Sequence, residues 1–294
     1  MKRFILILAL MFIPYKSYAV TEIIMTDGTV RTAMTAAGAI RTVSQPYGWS
    51  MQEGQLLNHK GVKTNGERPS VALGVSDVWS GVTTDIPIPP DAGDLISIVS
   101  TSVQDLNLTG TGIWSIDLDY IDPADGSEKE VHVLLNGTTV VNTGLSMRYI
   151  NAMHTHTTDG TKYAIGNITA FKTGTPTKVY KIINIGNNSN LSTDYMVPGG
   201  KTMFITHWFA SSAGAGKPVA MRLVITAKPD GTLLPRTFLV CGSVYLETSS
   251  FSCAVDFPVR VTSYGIIKFR VEASQAGPYV SAGFGGWLED TEVY

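Results

Sequence analysis

Cysteine and charge are scarce in this chain, and long apolar runs are missing outside its N-terminus. Of 294 residues two are cysteine, and charged side chains make up 16%. So little charge cannot supply the polar faces of long amphipathic helices, and no long window shows a helical period. Basic clusters are absent too, which argues against nucleic-acid binding and against polybasic membrane attachment. Cys241 and Cys253 belong to no CxxC and no Cys/His zinc spacing. The chain also has no GxSxG elbow, HExxH, P-loop or dinucleotide fingerprint. Gly214-Ala-Gly216-Lys217 lacks Walker spacing, and Ser, His and Asp occur without an arrangement that distinguishes a triad. We therefore expect neither an enzyme nor a cofactor.

What is present begins with Met1–Ala19: Lys2 and Arg3, an apolar run from Phe4 to Ile13, and Ser17 and Ala19 at the positions of a secretory cleavage site. The run is too short to span a bilayer, so a signal peptide is expected and no membrane span after its removal. Cleavage takes Lys2, Arg3 and Lys16 and no acid, so 22 basic residues become 19 against 24 acidic, a formal charge of −5. The alternative is a start at Met25 or Met34. Export would permit a disulfide between Cys241 and Cys253, which flank a turn at 247–250; two reduced, packed thiols are the other possibility.

Gly, Thr, Ser and Asn are plentiful, and short β-branched runs punctuated by Gly and Pro recur along the chain. Residues 20–75 read as an irregular N-terminal arm with turn signals throughout, Tyr47 and Trp49 being candidate anchors for a neighbouring subunit. Residues 76–173 read as a first β-sandwich. Its clearest strand alternates Trp114, Ile116, Leu118 and Tyr120 with Ser115, Asp117 and Asp119. Residues 178–289 read as a second, opened by a Pro198-Gly199-Gly200 turn and an aromatic strand. There the period puts Phe204, Thr206 and Trp208 on one face and Met203, Ile205, His207 and Phe209 on the other. The expected fold is thus all-β: two tandem antiparallel sandwich or jelly-roll-like domains after an arm.

Two groups could hold a metal. Asp117, Asp119, Glu128, Glu130 and His132 can share one face of a hairpin, where clustered oxygens would suit calcium. His154-Thr-His156, near Asp159, can put two imidazoles on one side of a strand, but spacing marks no third ligand for zinc. For both groups an ordinary solvated face is the expectation, so no metal is assigned. Paired carboxylates on an outward face lack the cleft of a glycosidase.

A series of phrases, in order, resembles tailed-phage virion structural proteins, often of marine phages. It includes Asp77-Val-Trp-Ser-Gly81, Val133-Leu-Leu-Asn-Gly-Thr-Thr-Val-Val141, Tyr149-Ile-Asn-Ala-Met153, Gly166-Asn-Ile-Thr169, the strand after Gly200, and Ser281-Ala-Gly-Phe284. The resemblance covers Tyr47 to Leu288. It implies tandem β-domains in a capsid-associated or particle-surface protein that works by homo-oligomeric assembly with other virion proteins, and it supplies no functional residues. Tyr47, Trp49, Trp208 and Phe209 are the interface residues we expect. Such proteins normally carry no secretory signal, so localisation to the virion goes with the later start and export with cleavage. The second reading is a secreted or cell-surface sandwich that binds a glycan, with Trp79, Trp114 or Trp287 as the stacking platform.

Overall fold

The computed structural model describes residues 59–291, apart from 82, 159–162, 215, 229–232 and 235–236, together with residues 22–24 and 30–32. The proposed leader at 1–19, Tyr47, Trp49 and Asp159 lie outside the described residues. Two compact units divide the chain, Met1–Gln55 and Leu56–Tyr294. In the first, β1 (Glu22–Ile24) and β2 (Val30–Thr32) form an antiparallel ribbon.

The second unit is all-β among its described residues. It begins with three short strands, β3 (Lys60–Lys63), β4 (Gly66–Arg68) and β5 (Gly74–Asp77). There follow β6 (Asp94–Ser100), β7 (Ile113–Ile121), β8 (Glu128–Leu134), β9 (Val141–Met147), β10 (Tyr149–Thr158), β11 (Ile168–Lys172) and β12 (Thr175–Ile183). The rest are β13 (Tyr195–Met196), β14 (Lys201–Ser212), β15 (Val219–Ile225), β16 (Leu239–Leu246), β17 (Ser250–Val261), β18 (Ile266–Ala273) and β19 (Val280–Asp290). Every pairing is antiparallel.

Sheets β10-β7-β8 and β12-β11-β6-β9 make the first sandwich. Ile116, Leu118 and Tyr120 of β7 meet Ile96 and Ile98 of β6 in its core, as the period-two pattern of β7 requires. Sheets β13-β18-β15-β16 and β17-β14-β19-β3 make the second. Val219, Met221, Leu223 and Ile225 of β15 fill its core with Phe269, Phe284 and Trp208.

The boundaries between these bodies differ from the sequence reading. Residues 60–75, read there as arm, and Ser76 and Asp77, read there as the start of the first sandwich, add strands to the second: β3 and β4 pair with β19, and β5 pairs with β18. Strands of three or four residues are too short for alternation to declare itself. At the other boundary β12, Thr175–Ile183, pairs with β11, so residues 178–183, read there as the start of the second sandwich, belong to the first.

A seam joins the two sandwiches. Ile121 and Tyr149 of the first pack on Met196 and Ile266 of the second. Two buried ion pairs lie close by. Lys181 Nζ is 2.6 Å from both oxygens of Asp194, and Tyr149 Oη donates to the same carboxylate at 2.6 Å. Lys268 Nζ lies 2.7 Å from Asp77 Oδ2, which also accepts the Ile86 backbone N–H. At Gly126, with φ of 72°, the β7–β8 turn meets Tyr264; a Cβ there would come within 2.1 Å of the phenol oxygen, so only glycine fits.

Candidate functional site

The strand after Gly200 is β14, and its two faces are not those the simple period assigned. The register on β19 passes from Ile205↔Gly286 directly to His207↔Gly285, leaving Thr206 as an extra residue. This β-bulge reverses the phase. Met203, Ile205, Trp208 and Ala210 therefore all face the core, while His207 is exposed and Phe209 half-buried. Trp208 is 5% exposed, tilted against Phe251 and Phe269 with centroids 4.8 and 5.7 Å away. It is a core residue and offers no surface to a neighbouring subunit. Phe209 remains accessible on the outer face.

The cysteines lie in different sheets. Cys241 is the residue skipped between Gly242↔Leu223 and Val240↔Val224, and Cys253 sits opposite Trp208. Both thiols are free. Cys241 is exposed on β16 and Cys253 is partly covered. A direct cross-strand cystine would need β16 and β17 to be paired neighbours, whereas the hairpin crosses from one sheet to the other.

The tryptophans of the glycan reading separate in the same way. Trp79 is buried at the seam and donates its indole N–H to Thr83 O. Trp114 is half-buried and donates to Gly110 O. Trp287 is half-buried and stacks on Phe204, centroids 5.6 Å apart and planes at 19°.

Among the described residues, one side of the second sandwich is open. Strand β16 ends one sheet and β17 ends the other. Along β16 the exposed residues include Leu239, Val240 and Tyr245, the last 69% exposed, and Phe251, Cys253 and Val255 of β17 are only partly covered. An edge of this length with apolar side chains is a template for further strand pairing.

The two candidate metal groups turn out to be one. Asp117 sits on the central strand β7, directly opposite His132 on β8 and His154 on β10. Between Thr155↔Ile116 and Thr157↔Ser115 the register of β10 slips, and the extra residue is His156. That bulge swings His156 onto the same carboxylate. Nδ1 of His132 donates to Asp117 Oδ1 at 2.9 Å and Nδ1 of His156 donates to Oδ2 at 2.7 Å. Nε2 of His154 is 3.7 Å from Oδ2. The rings of His132 and His156 meet edge to face, 4.2 Å between centroids. Asp117 itself is 5% exposed. Burial alone would raise its pKa, but the hydrogen bonds from His132 and His156 outweigh that and hold the carboxyl below its usual range. The outward face of β7 is therefore lidded by imidazoles, where sequence reading expected open solvent.

Two of the acidic residues grouped with Asp117, Glu128 and Asp119, do other work. Glu128 accepts from Asn151, Tyr195 and Lys60, tying the first sandwich to β13 and β3. Asp119 lines a polar cleft of about 450 Å³ with Lys60, Asn151, His154 and Ser189. Burial raises its pKa, with Glu128 and Glu130 adding to the rise against His154 and Lys60. The oxygen cage that calcium would need does not form: among these groups imidazole nitrogens surround the shared carboxylate.

No protein-family model matches the chain, and no curated protein matches it. Among solved structures it is similar to that of the infectious bursal disease virus Gx strain, at 11% identity and TM-score 0.22, over 80% of this chain and 73% of that one. The structure of the Gt strain of the same virus gives 11% identity and TM-score 0.19 over 86% and 80%. The VP2 subviral particle of that virus gives 11% and 0.15 over 83% and 77%. Overlaps this weak carry no argument about shared architecture or role.

Proposed function

We propose that this chain is a non-catalytic structural component of a virus particle, of tailed-phage type, that works by assembling with copies of itself and with other particle proteins. The observation that carries the reading is the open side of the second sandwich. Strands β16 and β17 end their sheets unpaired, and Leu239, Val240 and Tyr245 are exposed beside them. A second copy can add its own edge there, because an antiparallel edge is complementary to itself about a two-fold axis. The ordered series of phrases from Tyr47 to Leu288 points the same way. So does the employment of buried charges: Lys181 pairs with Asp194 at the seam and Lys268 with Asp77 within the second sandwich, each pair serving the packing around it.

Two measurements test this. Mass spectrometry of purified particles should find the protein, and its absence from them would remove the virion assignment. Light scattering of the isolated chain should show an oligomer that Val240→Lys with Tyr245→Lys converts to monomer. A wild-type chain that stays monomeric at all concentrations would remove the edge assignment. The second reading, a secreted or surface module for glycans, rests on the Phe204–Trp287 stack on the outer face of β14 and β19. Stacked rings of that kind can carry a sugar face, and Trp287→Ala on a glycan array tests it.

A further inference from the structure

We propose that Asp117, His132 and His156 bind a divalent transition-metal ion, of the zinc class, on the outer face of the β10-β7-β8 sheet. Each offers one ligand atom, and these atoms lie within 4.8 Å of one another. A tetrahedral zinc ion with bonds of about 2.0–2.1 Å sets its ligand atoms about 3.3 Å apart. His132 and His156 now reach different oxygens of the carboxylate, Oδ1 at 2.9 Å and Oδ2 at 2.7 Å, so seating one ion requires the two imidazoles to swing toward a shared point beside it. The imidazoles can give that movement, since their side chains are 41% and 50% exposed. The carboxylate cannot move far: it is held on the central strand and nearly buried. One rigid anchor and two adjustable arms make a workable site.

The donor set selects the ion. Two nitrogens and one oxygen suit zinc, copper, nickel or cobalt, while calcium and magnesium want oxygen alone. The metal takes the place of the two Nδ1 protons that now point at the carboxylate, and each proton moves to Nε2 of its own ring or leaves to solvent. Three protein ligands leave a fourth position open to water or to a group from another molecule. His154 does not complete the set. It forms a separate triplet with Asp117 and Glu130, and its nitrogen stands farther off, 3.7 Å from the Oδ2 that His156 contacts. Placement on the sheet depends on two features of register: the alignment of Asp117 with His132, and the bulge at His156.

The proposal is independent of the particle reading, because it needs only the first sandwich's own face. The test is titration of the untagged full chain with Zn²⁺ by calorimetry, and with Co²⁺ by its visible absorption. One ion per chain is expected, with the intense visible bands of a low-coordinate cobalt site. His132→Gln and His156→Gln, both at exposed positions, should each weaken Zn²⁺ at least about tenfold. His154→Gln should change it by less than about threefold. Circular dichroism confirms that each variant is folded, and Asp117→Asn is added only as a supporting variant because its site is buried. Binding unchanged in both His132→Gln and His156→Gln overturns the proposal, as does the lack of any binding by wild type. A loss confined to His154→Gln likewise overturns this ligand set in favour of the Glu130 triplet.

Discussion

Lys181→Met should be among the most damaging single changes available in this chain. The ammonium of Lys181 is 1% exposed and the carboxylate of Asp194 0%. Burial lowers the Lys181 pKa even with Asp194 raising it. Desolvating two charges offsets much of what their attraction returns, yet each half is needed once the other is present. Removing the lysine strands a buried carboxylate, at a cost of about 3–5 kcal/mol. Hydroxyls of Tyr149 and Ser192 still donate to Asp194, which puts the loss near about 3 kcal/mol. For a unit of this size each kcal/mol moves Tm by about 2–4 °C, so a drop of about 6–12 °C follows. Asp194→Asn should cost a similar amount by stranding the ammonium. The double variant, which removes both charges, should lose less than the sum of the singles by at least about 2 kcal/mol. Thermal melts at neutral pH, followed by circular dichroism, measure all three. A Tm drop under about 2 °C for Lys181→Met, or strict additivity in the double variant, would refute the argument.

Other outcomes follow from the same structure. Burial favours a neutral Asp94, but hydrogen bonds from Lys172, Tyr180 and Lys178 outweigh that and bring its pKa from 3.8 to about 2. A folded-state pKa below the unfolded one stabilises above pH 3.8, and that stabilisation, at most about 2 kcal/mol, fades as pH falls toward 2. Urea melts of wild type and Asp94→Asn should therefore differ at pH 6 and converge near pH 2. Trp208→Ala, which empties the space between Phe251 and Phe269, should cost about 3–5 kcal/mol, measurable by the same melts. The paired change Val240→Lys and Tyr245→Lys should leave the circular dichroism spectrum unchanged, since both side chains face solvent in the single chain, while abolishing self-association and with it any dependence of Tm on concentration. Zn²⁺ at 100 times its Kd should raise stability by about 2.7 kcal/mol, and chelation should reverse it.

How far the sequence could be read depends on how local each feature is. Side-chain alternation is local, so β7, β15 and β18 are legible as strands from the sequence. The all-β class followed from them and from the turn residues between them. Outward charge on β18 was legible only in part. Arg270 and Glu272 are accessible, but Lys268 is buried against Asp77 because β5 and the stretch after it return from far away in sequence to cover it. The bulges at Thr206 and His156 leave no mark in composition, since an extra residue in a strand is defined only against its partner. Trp208 moved from a surface anchor to the core for this reason alone.

The histidines show the division most plainly. Sequence by itself determined that Asp117 and His132 lie on strands joined by a hairpin, and that His154 and His156 share another strand. It could not determine that β10 lies beside β7, nor that the two meet with His154 opposite Asp117. Register across a sheet is set by which partner buries the most apolar surface, and that is a property of the whole core. Only the tertiary structure, by packing Ile116 and Leu118 inward against β6, brought three imidazoles to one nearly buried carboxylate.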